Sequence, residues 1–596
     1  MKIRYSILFA IIIVCLPGCK DDFLDVKPLD KYSDAAVWED PVLVQSYVNN
    51  IYMGIPFPFT TLMLSSCVDE SMAVWDWESS LVTQSVLSPS YLAIFDNGFW
   101  TGSLRYMTWN NMYRNIRACN LFFQKIGEVK FDDEAVKENL IGQVTFLRAY
   151  FYHQLVALYG GVPIITKAFE ASDDFLVNRD SYEDCIKFIV EECDKATGML
   201  ALTGNKAYAT KGAALALKSR VLLYAASDLF NSNASWATGY SHPELVSNTT
   251  GDRSSRWQAA KNAAKDVIDL GIYDLYGGEN PASSSLATDN FAGLFLNNGN
   301  QEDIFLQFYD VLHNTDWDGP NPGLFNGPNG WHNWGGNTPV GQFADAFEMN
   351  DGSKFDWNNP LHAMDPYADR DPRFYATVLH EGATWRPRPS DVVDADPAGM
   401  LQVGNYQKNG TTVPGLDTRK SPIEDWNGSY TGYYLRKFID PNINHQYERQ
   451  QLPWRRFRYA EILLNYVEAC LELNEEAEAR TYLNKIRARA GMPPTSETGD
   501  QLMERYRNER RVELAYEEHR YYDVRRWMIA PTVYEDAQGV IVTGDMAADG
   551  TISNRIYAPD PSVQQRDWNP NNSFYFLPIK LDEMNRNELL VQNPLY

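Results

Sequence analysis

The chain is poor in the residues that build most metal and nucleophile sites, with eight histidines and seven cysteines in 596 residues. No two cysteines stand at CxxC spacing, which excludes the common zinc and dithiol motifs. Beyond Cys15 and Cys19 an odd five remain, Cys67, Cys119, Cys185, Cys193 and Cys470, so a disulfide framework is not expected and buried thiols are. The chain also lacks a GxSxG elbow, an HExxH zinc pair, a phosphate-binding loop and a dinucleotide fingerprint. His380-Glu381 has no second histidine at the required spacing. Paired carboxylates for glycoside hydrolysis are defined by their separation in space, and 78 acidic residues supply candidates by chance alone. These absences point away from an enzyme. Basic charge is scarce as well. With 53 Lys and Arg against 78 Asp and Glu the net charge is -25, which disfavours nucleic acid, because such binding neutralises phosphates with Lys and Arg.

Long apolar runs are also missing, with one exception at the start. Lys2 and Arg4 precede the apolar stretch Ile7–Val14, and the small Gly18 stands just before Cys19. That is the layout of an export signal, residues 1–18. The run is too short for a spanning helix, which needs about 20 residues. Removal of residues 1–18 takes Lys2 and Arg4 from the 53 basic residues, leaving 51 against 78 acidic, a net charge of -27. Leu-Pro-Gly-Cys resembles the lipobox of bacterial lipoproteins, in which the cysteine is acylated and becomes the new N-terminus. The rival Cys15 follows the branched Val14. The resemblance implies lipidation of Cys19, and an ordinary secreted protein with a stray thiol is the alternative. Each buried methylene contributes about 0.8 kcal/mol, so acyl chains can hold a soluble body at a membrane. Lys20-Asp21-Asp22 is similar to the lysine-plus-acid tag that sends some lipoproteins to the outer face of the outer membrane.

The body that follows has a core's worth of apolar material, 44% hydrophobic and 13% aromatic, and length for two or more domains. Asp40-Pro41 reads as an N-cap and first helical residue, with Val44, Tyr47, Val48 and Ile51 on one face. A longer helix starts near Asp132 or Asp133, carries Leu140, Val144, Leu147, Phe151 and Leu158, and stops at Gly160-Gly161. Residues 210–229 are alanine-rich, and residues 257–270 place Trp257, Ala260, Ala264, Val267 and Ile268 on one side. Two further stripes follow, Ala460, Leu463, Leu464, Val467, Cys470 and Leu471, then Ala479, Tyr482, Leu483, Ile486 and Ala490, closed by Gly491 and Pro493. Such pairs resemble tetratricopeptide units, which bury their faces by stacking. No sustained period of about 34 residues is present. The expected fold is mostly α: a tetratricopeptide-like helical-pair scaffold (an α-α superhelix) with a large irregular, loop-rich lobe. The lobe is residues 277–455, crowded with Gly, Asn, Pro and Trp, where turn chemistry predicts ordered loops in place of regular helix.

Several blocks carry a wider likeness. They are "CKDDFLDVKP" at the start of the mature chain, "WNNMYRNIRACN" from Trp109, "TFLRAYFYHQLVALYGGVPI" from Thr145, "DRDPRFYATVL" from Asp369, "RNERRVELAYEEHRYYDVRRW" from Arg507, and the closing "FYFLPIKLDEMNRNELLVQNPLY". In this order they resemble the SusD-like (RagB/SusD) family of outer-membrane nutrient-binding lipoproteins over nearly the whole mature chain. Glu518 and Leu595 stand where members commonly have glycine, and Lys580 where proline is frequent. The resemblance implies residues 19–270 as an N-terminal helical region and 271–596 as a C-terminal region, with scaffold helices returning over 457–530. It further implies a non-catalytic lid on a SusC-like TonB-dependent transporter, capturing oligosaccharide or polysaccharide at the cell surface; peptides are the ligands of RagB-like members. Some members carry a structural calcium, although no EF-hand pattern occurs here. A secreted hydrolase or a purely structural scaffold are the remaining alternatives.

A pyranose ring offers a flat C–H face and a rim of hydroxyls, so an aromatic plate with polar neighbours suits it. Two loop clusters have that composition: Trp75, Asp76 and Trp77, and Trp317, Trp331, Asn333, Trp334 and Asn337, the latter flanked by Asp316 and Asp318. Each tryptophan has a second reading as the buried anchor of its own loop. Trp109 and Trp527 fall in helical blocks and read as core. The charged run Glu509, Arg510, Arg511, Glu513, Glu517, Arg520, Asp523 and Arg525 reads as an ion-pair network between neighbouring elements.

Overall fold

Asp40 caps the first scaffold helix, accepting from Val42 N at 2.8 Å, and Pro41 supplies its first residue. That helix, α1 (Pro41–Tyr52), buries Val44, Val48 and Ile51 as the apolar spacing requires. The computed structural model describes residues 34–56, 58–59, 61–75, 78–95, 107–308, 321–569 and 575–596. The signal segment and Cys19 lie outside them.

The scaffold continues through α2 (Trp109–Lys125), α3 (Glu134–Tyr159), α4 (Tyr182–Met199), α5 (Lys211–Ala226) and α6 (Arg253–Ile268), each packed on the next. Asp133 caps α3 through Ala135 N at 2.9 Å, and Gly160 ends it at φ +75 and ψ -144, a conformation that costs a residue with a Cβ about 1–3 kcal/mol. From Leu140 on, α3 is buried nearly all round, as is α5. The chain then leaves the stack for almost two hundred residues. It returns as α11 (Tyr459–Glu472), which packs directly on α6, followed by α12 (Glu476–Arg489), α13 (Gly499–Glu513) and α14 (His519–Arg526). The mostly helical, tetratricopeptide-like scaffold with an inserted lobe is thus present.

The lobe departs from the expectation in one respect. Residues 284–295 form a regular helix, α7 (Ser284–Phe295), because Ser283 caps it at Leu286 N (3.1 Å) and Phe291, Leu294 and Phe295 give it a buried face. The other lobe helices that matter here are one or two turns: α8 (Pro322–Asn326), α9 (Gly341–Ala346) and α10 (Pro372–Thr377). Among the strands, β1 (Ser71–Ala73) pairs antiparallel with β3 (Asn337–Pro339), and β2 (Asp303–Gln307) with β6 (Trp454–Arg458). The strands β4 (Asn405–Lys408) and β5 (Thr411–Pro414) join β7 (Ala537–Met546) and β8 (Ile552–Gln564) in a four-stranded sheet of order β8-β7-β4-β5. The sequence reading did not foresee this sheet.

Buried arginines and carboxylates fasten lobe to scaffold. Arg458 reaches Glu302 at 2.6 Å, Glu513 at 2.7 Å and Glu517 at 2.7 Å; Arg373 of α10 reaches Glu509 at 2.5 Å and Glu513 at 3.1 Å. Lys437 of the lobe meets Glu517 at 2.8 Å, and Arg520 meets Asp69 at 2.7 Å. The charged run over 509–525 is therefore the expected ion-pair network. All five described cysteines are buried free thiols, and burial pushes Cys185 and Cys470 up to about 12.

Three departures from the family pattern have backbone explanations. Glu518 and Leu595 adopt φ +69 and +73, the left-handed region in which glycine is favoured, and Lys580 sits at φ -59, which suits proline.

Candidate functional site

The β1–β3 ladder aligns Ser71 with Pro339 and Ala73 with Asn337. Beyond it the two segments stay together, Val74 N donating to Gly336 O at 2.7 Å. Trp75 comes next on one segment, and Trp334 follows Gly335 on the other. Their indoles meet edge to face, centroids 5.7 Å apart and planes at 81°, and both are half-buried. Trp75 and Trp334, about 260 residues apart in sequence, thus form one aromatic pair.

The turn that carries Trp334 is fixed from below. Asn321 caps α8 at Leu324 N (3.2 Å), Trp334 N donates to Leu324 O at 2.8 Å, and Gly336 N to Phe325 O at 2.5 Å. The Trp334 ring lies 5.3 Å from that of Phe325. Gly335 has φ +58, and a Cβ on Gly336 would stand 2.6 Å from Phe325 O, so both glycines are required for this close turn.

Other expected site residues prove to be loop anchors. Trp331 is 2% exposed; its Nε1 donates to Pro387 O at 3.1 Å, and the Arg388 guanidinium lies 3.6 Å over its ring. Arg388 is itself held by Asp396 and Asp417, each at 2.8 Å. With both faces enclosed and its N–H used, this indole is core to the loop, together with Leu379, Leu401 and Tyr434. Asn337 is fully buried: Oδ1 accepts from Met63 N (3.0 Å) and Ser66 Oγ (2.8 Å), while Nδ2 donates to Thr61 O and Asn326 Oδ1. It pins the ladder and faces no solvent. Asn333 is 3% exposed, behind the turn. Asp76, Trp77 and Trp317, like the flanking Asp316 and Asp318, lie outside the described residues.

The structure adds two aromatics that the sequence reading missed. Asn329 Nδ2 holds the loop 424–430 through Thr418 O (2.8 Å) and Glu424 O (3.1 Å), and Gly428 N reaches Trp334 O at 3.4 Å. This loop, "EDWNGSY", exposes Trp426 at 58% and Tyr430 at 45%, with Arg419 stacked 4.1 Å from the Tyr430 ring. It has the same tryptophan-beside-acid-and-amide composition as the other clusters, which is the signal that could have found it. Nearby, His332 (φ +59) bonds Asp391 at 3.0 Å, and this bond holds the Asp391 carboxyl below the usual range. Burial raises Glu424, partly offset by the Asn427 amide and by His332.

No group of three or more His, Cys, Asp or Glu that could hold a metal ion occurs among the described residues. His380 is half-buried in a stack with Tyr367 (4.1 Å), desolvation lowering it to about 4, and Glu381 is taken by Tyr406, Val403 N and Arg555.

Known proteins resemble this chain along its whole length. One family profile, described as the SusD family, matches residues 301–596, and another, described as starch-binding associating with outer membrane, matches residues 22–223. A SusD-like protein from Bacteroides fragilis superposes with a TM-score of 0.73 at 30% identity, covering 96% of this chain and 100% of its own. The chain belongs to the SusD family. A second Bacteroides fragilis structure, of a SusD-like carbohydrate-binding protein, has a TM-score of 0.67 at 20% identity, over 93% of this chain and 100% of its own. SusD-like protein P25 of Formosa agariphila is 23% identical over 514 residues, 82% of this chain and 78% of that protein. In this SusD-family chain no described helix is long and apolar enough to cross a membrane.

Proposed function

We propose that the protein is a non-catalytic, lipid-anchored protein of the outer cell surface that binds oligo- or polysaccharide and passes it to a SusC-like TonB-dependent transporter. The observation that carries the reading is the Trp75–Trp334 pair, two indoles from distant parts of the chain held half-exposed by a short ladder, beside a loop that exposes Trp426 and Tyr430. Indoles accept the C–H face of a sugar ring, and the amides and carboxylates around them meet its hydroxyls. Asp76, Trp77 and Trp317, which lie outside the described residues, are further candidates by composition. Family membership, a relative described as carbohydrate-binding, and a family description that names the outer membrane support the reading. The lipobox-like string supports acylation of Cys19.

The test is affinity electrophoresis of the full-length protein, in a detergent without sugar, through gels containing a panel of neutral polysaccharides. Wild type should be retarded by at least one glycan, and Trp75→Ala with Trp334→Ala should migrate freely while keeping the helical circular dichroism. Equal retardation of variant and wild type on every retarding glycan would refute the platform. Cys19→Ala should lose fatty-acid label and leave the membrane fraction; retained label would refute the anchor.

A further inference from the structure

We infer that the cleft between α9, α13 and residues 354–355 is a second ligand pocket, separate from the tryptophan platform, that takes a small uncharged saccharide of one or two rings. It lies at the other end of the same ladder. The platform is reached beyond Ala73 and before Asn337, whereas the cleft begins just after Pro339 and is bounded by Arg511, whose Nη2 donates to Asp69 O at 2.9 Å just before β1. Its volume is about 560 Å³, within the range of small-molecule sites.

The Phe355 side chain forms part of one wall. Phe355 is half-buried and held from two sides, with the Arg370 guanidinium 4.1 Å from its centroid and His362 stacked at 5.5 Å and 17°. The charges in the cleft are matched among themselves. Glu348 pairs with Arg487 at 3.0 Å and with Arg505, Glu497 with Arg505 at 2.8 Å, Glu504 with Lys354 at 3.6 Å, and Arg511 with Asp69 at 3.0 Å. Among the described residues of the lining, Asp345 is the one carboxylate without an ion pair, so little net charge is left to recruit an ion. What remains is hydrogen-bonding capacity. Gln501 is exposed on α13, the Asn508 amide nitrogen is used on Ala346 O (2.9 Å) while its oxygen is not, and Asp345 has one oxygen on Trp357 Nε1 (3.0 Å) and one left over. The buried Arg511 Nε has no partner among the described residues. Burial raises Asp345 to about 6, so at neutral pH it is an acceptor. An apolar wall, amide groups, a carboxylate acceptor and a spare N–H match a neutral ring with hydroxyls on its rim.

The experiment is saturation-transfer difference NMR on the full-length protein in a sugar-free detergent, with D-glucose, D-galactose, D-mannose and N-acetyl-D-glucosamine as probes. The expected result is a signal for at least one sugar that persists in Trp75→Ala/Trp334→Ala and falls about fivefold to tenfold in Phe355→Ala and in Gln501→Trp, which fills the cleft from an exposed helix position. If Phe355→Ala loses its helical circular dichroism, Gln501→Trp decides alone. No signal for any of the four sugars, a signal that survives Gln501→Trp, or one lost in the platform variant would overturn the inference. The last outcome would leave the platform standing, whereas failed electrophoresis with a normal NMR result would leave the cleft standing.

Discussion

Trp331 and Trp334 stand three residues apart, yet one is buried and the other half-buried. What separates them is the chain at their backs. Arg388, fixed by two aspartates, covers Trp331, whereas Trp334 stands beside Phe325 and at a steep angle to Trp75. Truncating a buried tryptophan removes its transfer free energy and leaves a cavity. Trp331→Ala should therefore lower the lobe's unfolding free energy by about 3 kcal/mol in urea titrations, and Trp334→Ala by clearly less. Equal destabilisation would mean that both are loop anchors. The alternation of tryptophan with Asp, Asn and Gly marked these residues as candidates, but composition alone does not say which ring is covered.

At the scale of elements, buried charge joins the insertion to the scaffold beside the β2–β6 ladder and a shared apolar cluster. Glu513 near the end of α13 is contacted by Arg373 from the lobe, Arg458 from β6 and Arg489 from α12. Removing one member of a buried pair leaves uncompensated charge, at a cost of about 3–5 kcal/mol. Glu513→Gln should lower the urea midpoint of the whole chain accordingly, and an unchanged midpoint would show that the three arginines find other partners. The helices of the scaffold were legible because caps, stripes and glycine stops coincide, as at Asp40, Asp133 and Gly160. The β7–β8 hairpin was not. Its exposed positions such as Ile556 and Ile541 blur the alternation of a strand, and its partner β4 lies 130 residues away.

Across the whole molecule, buried carboxylates set a stability profile with two limbs. Burial alone would raise Glu468, but the Arg526 guanidinium at 2.5 Å more than reverses it, down to about 2. A carboxyl with a depressed folded value contributes stability above its ordinary value of 4.5, lost as pH falls toward 2, so unfolding should set in on the acid side. Glu70 has the opposite sign. Burial pushes it up to about 8, so its contribution is complete below 4.5 and is lost as pH rises toward 8. Glu70→Gln, which keeps an oxygen for Tyr516 N (3.1 Å in the wild type), should flatten the decline in the urea midpoint between about pH 5 and about pH 8. A variant profile that still falls in parallel with the wild type would remove Glu70 as its source.

The sequence by itself determined the helical stack, the loop-rich lobe, the ion-pair reading of residues 509–525 and the family, because caps, apolar periodicity and motif order are local properties that any stretch of chain carries with it. Only the tertiary structure decided which tryptophans stand together. A three-residue ladder joins residue 75 to residue 334, and a buried arginine withdraws residue 331. Long-range pairing and the covering of a ring by a distant guanidinium depend on chain closure, which no local pattern records.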